Sequence, residues 1–282
     1  MAKTPSGHEG GIAMTLLECY RHHFFPRMEG AITFGENIDK ASCISGLGKN
    51  LSGSRNVGNC ELTHIGAGFG VMMDGGHAVL IAKQLDFMLL GLDHMVNTLS
   101  FARSAGKLTG SFSIVTYLCN QGYQGPQSSL VDLSGFCSLG GFPGYLLQEE
   151  NQIADLARTA LGAPGFRIFV LPQRIANEPV LSLPITAVGP GWRMYGQGQK
   201  IDVVSCHATL AEAVSRSRGF VLHCDCHPDF EHPPFKLADK VTFLDDGCGT
   251  LRWADFIHRK LRACDPFVVR PRNHAVNPDS FP

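Results

Sequence analysis

The chain has 282 residues, 24 Lys and Arg against 25 Asp and Glu, and is 44% hydrophobic. At ~100–200 residues per domain, that length holds one large domain or two modest ones. A net charge of −1 removes the electrostatic case for nucleic acid or an anionic membrane as the main partner. Only 17% of residues are charged, so large buried subunit interfaces are expected. No apolar run reaches the ~18–20 residues of a membrane span. The polar start, residues 1–11, lacks the apolar core of a secretory signal and reads as a loose tail. Ten irregularly spaced cysteines read as reduced thiols, and a cytoplasmic location is expected.

A helical pattern opens the folded part: Met14, Leu16, Leu17, Tyr20, Phe24 and Phe25 recur at helical spacing, and Pro26 ends it. Ala31–Phe34 predicts a short strand running into Gly35-Glu36. Residues 43–51 predict a helix. After Asn59-Cys60-Glu61 comes a helix of small residues through Met73. His77–Ile81 predicts a buried strand, and 86–103 one long helix. Strands are then expected at 113–117, 145–147 and 166–171, with a helix at 149–161. The stretch 178–199 is rich in Pro and Gly and reads as a linker. Beyond it, strands at 201–206, 220–225 and 240–244 alternate with helices at 209–217 and 250–262. A Pro-rich tail closes the chain. The alternation predicts α/β architecture with a mainly parallel sheet covered by helices on both faces.

Several of these stretches, in order, resemble one family. Phe34-Gly35-Glu36-Asn37-Ile38 is similar to the Gly-Glu-Asp-Val turn of the β subunits of thiamine-diphosphate-dependent 2-oxo acid dehydrogenases. Asn59-Cys60-Glu61, with Gly66 and Gly70 beyond, resembles that family's Pro-Ile-Ser-Glu and its Gly-rich helix. Asp86-Phe87, then Leu92-Asp93-His94-Met95-Val96-Asn97, resembles its Asn-Phe segment and Asp-Gln-x-x-Asn helix. Phe142-Pro143-Gly144-Tyr145 resembles its Pro-Gly-Leu strand entry. Near the end, Ile201–Ser205 and Asp225-Cys226-His227-Pro228 resemble its small C-terminal domain. The resemblance covers nearly the whole chain and extends to the pyrimidine-binding half of transketolases. It implies a parallel-sheet transketolase-like pyrimidine-binding domain at 12–177, the linker at 178–199, and a smaller α/β transketolase C-terminal-like domain at 200–282.

The resemblance also implies a cofactor, thiamine diphosphate, and a division of labour. The cofactor's pyrimidine needs a carboxyl against its N1′ atom, in apolar surroundings that keep a proton shared near neutral pH. Glu61 fits by position: no other charge lies between Arg55 and Asp74. An acid at a helix N-terminus is the plain structural reading of the same residue. Phe87 is placed to stack on the pyrimidine, and the same alignment of motifs puts Cys60 and Leu90 at the cofactor. The family binds Mg²⁺ and diphosphate through Gly-Asp-Gly followed by a later Asn, in another domain. Asp245-Asp246-Gly247 with Asn273 mimics that spacing, but the first Gly is missing and the segment fits the last strand of the C-terminal domain. The resemblance therefore implies an α-type partner subunit that holds Mg²⁺ and the diphosphate, in an α2β2 assembly.

One departure stands out. Where the family has a loop His, in Gln124-Gly125-Pro126-Gln127-Ser128-Ser129, this chain has Ser128. A hydroxyl cannot titrate near pH 7 as an imidazole does. Transfer of an acyl group to a lipoyl domain is thereby put in doubt, and decarboxylation with carboligation of a pyruvate-like 2-oxo acid is favoured. His64 or His94 could supply the missing imidazole. The rival readings are the C-terminal half of a split transketolase and a non-catalytic scaffold subunit. A dinucleotide reading of Gly66-Ala67-Gly68-Phe69-Gly70 is poor, since no clean strand precedes it; close helix packing at a subunit interface explains it better. His223-Cys224-Asp225-Cys226-His227 has metal-ligand residue types. Strand alternation, however, puts its thiols and imidazoles on opposite faces, and a buried strand is the better reading.

Overall fold

The computed structural model describes residues 13–119, 132–246, 253–261 and 267–269. Its first half is organised by strands that are apolar on both faces. These are β3 (His77–Gln84), β4 (Ser111–Leu118) and β6 (Gly165–Pro172); every residue of β4 and β6 is buried. Strands of that kind need cover on both sides, which parallel crossovers supply. With β1 (Ile32–Gly35), β2 (Arg55–Asn56) and β5 (Gly144–Leu146) they form an all-parallel six-stranded sheet in the order β2-β1-β3-β4-β6-β5.

Side-chain alternation sorts the core onto two faces. Phe112, Ile114, Phe166, Ile168 and Val170 meet the helix α2 (Glu61–Met73), while Val115, Tyr117, Phe169 and Leu171 meet α1 (Leu16–Phe24) and α5 (Glu150–Thr159). On the α2 face, Phe69, Phe112, Phe142 and Phe166 pack edge-on or tilted, with ring centroids 4.7–5.4 Å apart. Truncating one such ring to Ala costs about 3–5 kcal/mol. At the start of the fold, Thr15 caps α1: its hydroxyl accepts from the Glu18 amide at 3.2 Å, and Glu18 accepts from the Thr15 amide at 2.8 Å.

The second sheet runs β12-β11-β9-β10-β8-β7. Its strands are β7 (Ile185–Gly189), β8 (Trp192–Gly196), β9 (Lys200–Cys206), β10 (Phe220–Cys224), β11 (Lys236–Asp245) and β12 (Phe267–Val269). β8 is antiparallel to both of its neighbours, and the remaining pairs are parallel. Helix α6 (Leu210–Arg216) covers one face. One continuous core joins the other face to the α2 side of the first sheet.

Three expectations change. Residues 43–51 are a series of turns rather than a helix: Ala41, Cys43, Ile44 and Ser45 all have φ near +50°. That conformation is incompatible with a right-handed helix. The long helix expected at 86–103 is broken into a 3-10 stretch, Leu85–Gly91, a π-helical stretch, His94–Thr98, and the short helix α3 (Leu99–Ser104). The stretch 178–199, expected to be a linker, carries β7 and β8, turning through Pro190-Gly191. Its prolines and glycines mark the ends of a hairpin, and Trp192, Met194 and Tyr195 are core residues. No helix among the described residues is long and apolar enough to cross a membrane.

Candidate active site

The carboxyl ends of β1 and β3 and the N-terminus of α2 converge on one cavity. β1 ends on Gly35, where any Cβ would strike the Ile81 carbonyl oxygen, so glycine is what lets β1 lie against β3. Glu36-Asn37 follows, with Asn37 at φ 53°. The β3–β4 pairing slips in register between Ile81 and Gln84, an irregularity of the kind that re-aims side chains next to a site. α2 begins at Glu61, directly after Asn59-Cys60. The resulting cavity of about 350 Å³ is lined by Glu36, Asn59, Glu61, His64, Lys83 and Phe87, among others, with Leu80, Ile81 and Met88 as apolar wall.

The residues predicted from sequence divide clearly. Glu61 and Phe87, 26 positions apart in the chain, line this cavity together, and both are half-buried. Glu61 enters no hydrogen bond or ion pair among the described residues. Its carboxylate is instead the acid at the positive end of α2. Cys60 is exposed and lines an adjoining apolar groove rather than the cavity; its thiol is 3.1 Å from the Thr63 hydroxyl, and that contact lowers its pKa. Leu90 is 64% exposed and lies outside the cavity lining. The 3-10 geometry of 85–91 presents its residues differently from the helix expected there. Ser128 lies outside the described residues. Of the two histidines weighed as substitutes for the loop His, His64 lines the cavity, one turn after Glu61. His94 instead packs behind α2, its Nδ1 2.9 Å from the Thr98 hydroxyl.

The glycines of α2 serve packing inside the chain. A Cβ on Gly66 would stand 2.8 Å from His94 Nε2, and one on Gly68 would enter the Phe112 ring, whereas Gly70 faces open space. The first two therefore need no subunit interface to explain them.

A second polar cluster, which sequence spacing did not reveal, lies buried at the seam between the two sheets. Arg193 on β8 bonds Asp225 and, at 3.2 Å, Asp155 on α5. His207, at φ 53° between β9 and α6, holds its Nδ1 2.7 Å from Asp245, while its Nε2 is 3.8 Å from Asp132, the N-cap of helix α4 (Leu133–Gly140). Burial alone would lower the pKa of His207, but Asp245 outweighs it and holds the imidazole well above its ordinary value. His223 on β10 goes the other way. Desolvation pushes it down to about 4, Gln148 donates to its Nε2 at 3.3 Å, and its Nδ1 is 2.8 Å from the Ser205 hydroxyl. Gln148 also donates to the His207 carbonyl at 2.7 Å. His207, Asp245 and Asp246 each place a potential metal-ligand atom within 4.8 Å of the others. The His207–Asp245 bond and the 2.9 Å bond from the Ala208 amide to Asp246 already engage all three. The Cys224–Cys226 segment is a buried strand end, as its alternation predicts.

Two sheets in this arrangement, the first wholly parallel, make a transketolase-like fold. Comparison with solved structures agrees. A split-gene transketolase solved as an inactive β4 tetramer superposes with TM-score 0.57 at 14% identity, over 93% of this chain and 88% of that one. A transketolase mutant from Pichia stipitis gives 0.62 at 12% identity, over 95% of this chain but 43% of the other. A 2-oxoglutarate:ferredoxin oxidoreductase from Magnetococcus marinus gives 0.56 at 11% identity, over 94% and 64%. The chain thus spans less than half the length of that transketolase. No protein-family model and no curated protein matches it.

Proposed function

We propose that this chain is the pyrimidine-binding, β-type subunit of a two-component thiamine-diphosphate enzyme that decarboxylates a small 2-oxo acid and passes the remaining carbon unit to an acceptor. The observation that carries the reading is the meeting of Glu61 and Phe87 in one cavity at the carboxyl ends of parallel strands, where ligands of such sheets bind. The residues fit the pyrimidine half of the cofactor. Glu61 offers a carboxylate to hold a proton at N1′, Phe87 offers a ring face, and Leu80, Ile81 and Met88 exclude water. Thiamine diphosphate, when bound, supplies the carbanion chemistry that lets the bond to a 2-oxo acid's carboxylate break. Mg²⁺ and the diphosphate fall to an α-type partner. Leu62, Leu89 and Leu90 are about half exposed or more and flank the cavity residues in sequence, apolar surface of the kind a partner covers.

A second reading, half of a split transketolase, is favoured by the end-to-end likeness to the split-gene transketolase. One set of measurements separates the readings. Titration with thiamine diphosphate and Mg²⁺ should show weak or no binding by this chain alone and tight binding once the partner is present. Tight Mg²⁺-dependent binding by the chain alone would overturn the subunit reading. The assembled enzyme should release carbon dioxide from pyruvate without acylating a lipoyl domain. Turnover of a ketose phosphate instead would select the transketolase reading, and robust lipoyl acylation the dehydrogenase role.

A further inference from the structure

Three histidines are buried among the described residues: His64, His207 and His223. The two at the seam have both ring nitrogens engaged, His207 by Asp245 and the Cys226 thiol, His223 by Ser205 and Gln148. His64, 8% exposed, differs from both. No group among the described residues bonds either of its ring nitrogens, and neither nitrogen is sealed inside the protein. What the ring faces is open space. His64 stands on α2 three residues after Glu61, and the two line the cavity together. It also forms part of the wall between the cavity and the adjoining groove, where it meets Phe34 edge-on with ring centroids 6.3 Å apart.

Packing on Phe34 accounts for the carbon atoms of the ring but not for its nitrogens. A buried polar group without a partner costs stability, and folds seldom keep one. An imidazole held with both nitrogens open beside a cavity therefore points to a ligand that completes it. Its ionisable neighbours are Glu36, Glu61 and Lys83 around the cavity, and Arg55 and Cys60 around the groove. None of them bonds the ring. Imidazole is the side chain suited to exchanging a proton near neutral pH, and joining a carbon unit to a carbonyl acceptor needs that exchange. As the new C–C bond forms, the acceptor's C=O π bond opens onto its oxygen, which takes up a proton. As the product leaves, the hydroxyl on the transferred carbon becomes a carbonyl and gives up a proton, while the electron pair of the bond that held this carbon returns to the cofactor.

We propose that His64 is the acid–base residue of the acceptor step: its imidazole gives a proton to the acceptor's carbonyl oxygen and recovers one from the hydroxyl of the transferred carbon. The proposal rests on the thiamine-diphosphate reading above and adds to it the residue that serves the second substrate, a carbonyl compound.

Two readouts test it. The first needs neither a variant nor turnover. Diethyl pyrocarbonate acylates open imidazole nitrogens, and peptide mass spectrometry locates the adduct. His64 should be modified in the chain alone, more readily than His207 or His223, and should be protected in the assembly once thiamine diphosphate and Mg²⁺ are bound. An unmodified His64, or one whose modification is indifferent to filling the site, would overturn the proposal. The second readout is kinetics of the assembled enzyme with pyruvate as donor and acetaldehyde as acceptor. His64→Gln should lower kcat for carboligation by at least ~100-fold, the scale of losing a positioned acid–base group, with KM changing far less. C2-proton exchange of the bound cofactor, the step given to Glu61, should stay at the wild-type rate. Free imidazole should restore part of the activity of His64→Ala, whereas pyrazole, of the same size but a much weaker base, should not. Wild-type carboligation in His64→Gln, or equal rescue by imidazole and pyrazole, would overturn the acid–base role. Loss of exchange together with turnover in His64→Gln would make His64 part of the scaffold around Glu61 and overturn it equally. If the wild-type assembly exchanges no C2 proton, the cofactor reading itself falls and this proposal with it, while the modification readout still judges the open imidazole.

Discussion

The seam between the two sheets and the cavity at the end of the first sheet treat ionisable groups in opposite ways. At the seam, Arg193, Asp225, His207, Asp245 and His223 are all buried, and each has a partner within hydrogen-bond reach. At the cavity, Glu61 and Lys83 have no ion-pair partner among the described residues. Buried charge is tolerated in a scaffold when it is paired and solvated by protein dipoles. Ionisable groups left unpaired around one cavity add little to the fold, and proteins keep such groups where a ligand completes them. The seam is therefore read as architecture and the cavity as chemistry.

The strongest way to break this comparison is at the seam. Arg193→Met removes the cation and leaves Asp225 buried beside Gln152, whose amide is 3.4 Å from the other carboxylate oxygen. Stranding one partner of a buried pair costs about 3–5 kcal/mol, so urea unfolding should shift to a much lower midpoint. A midpoint within error of wild type would show that the seam carries no more energy than a surface ion pair.

At the cavity the expected effect is on rate rather than stability. Glu61→Gln keeps the shape and removes the carboxylate that would share a proton with the cofactor. Turnover of the assembled enzyme should fall by at least ~100-fold, the scale of losing a positioned proton-transfer group, with cofactor affinity changing much less. Because Glu61 is half-buried and unpaired, its replacement should leave Tm nearly where it was. C2-proton exchange at the wild-type rate in the variant would reduce Glu61 to a helix N-terminal acid.

The two regions also differed in how far the sequence revealed them. The parallel sheet was legible because β3, β4 and β6 are largely apolar runs, and α1 because Leu16, Leu17, Tyr20 and Phe24 recur at helical spacing and Pro26 ends it. The 43–51 turns were not, since nothing in Cys43-Ile44-Ser45 marks a left-handed backbone. The β7–β8 hairpin was hidden because its Pro and Gly outweighed Trp192-Arg193-Met194-Tyr195, which is strand-forming by composition. Glu61 and Phe87 came with the resemblance. The seam had no such signal: Asp132, His207 and Asp245 meet only through the packing of α4, β9 and β11, and no spacing along the chain encodes that.

The subtlest way to sharpen the comparison is through pH, because the seam holds two histidines in opposite states. His223 has its folded-state pKa depressed to about 4, so it favours folding only while neutral. That contribution is complete above the unfolded value near 6.5 and is lost as pH falls toward 4, at up to ~1.4 kcal/mol per pH unit. For His207 the folded pKa is raised, so its contribution is complete below ~6.5 and is lost as pH rises through the raised value. Near neutrality one ring is charged between Asp245 and Asp132, while the other is neutral between Ser205 and Gln148. In difference curves of stability against pH, His223→Gln should therefore flatten the acid limb between 6.5 and 4, and His207→Gln the alkaline limb above neutral. If His207→Gln altered only the acid limb, its imidazole would be neutral in the folded protein, and the seam would hold Asp245 and Asp132 by some means other than a buried cation.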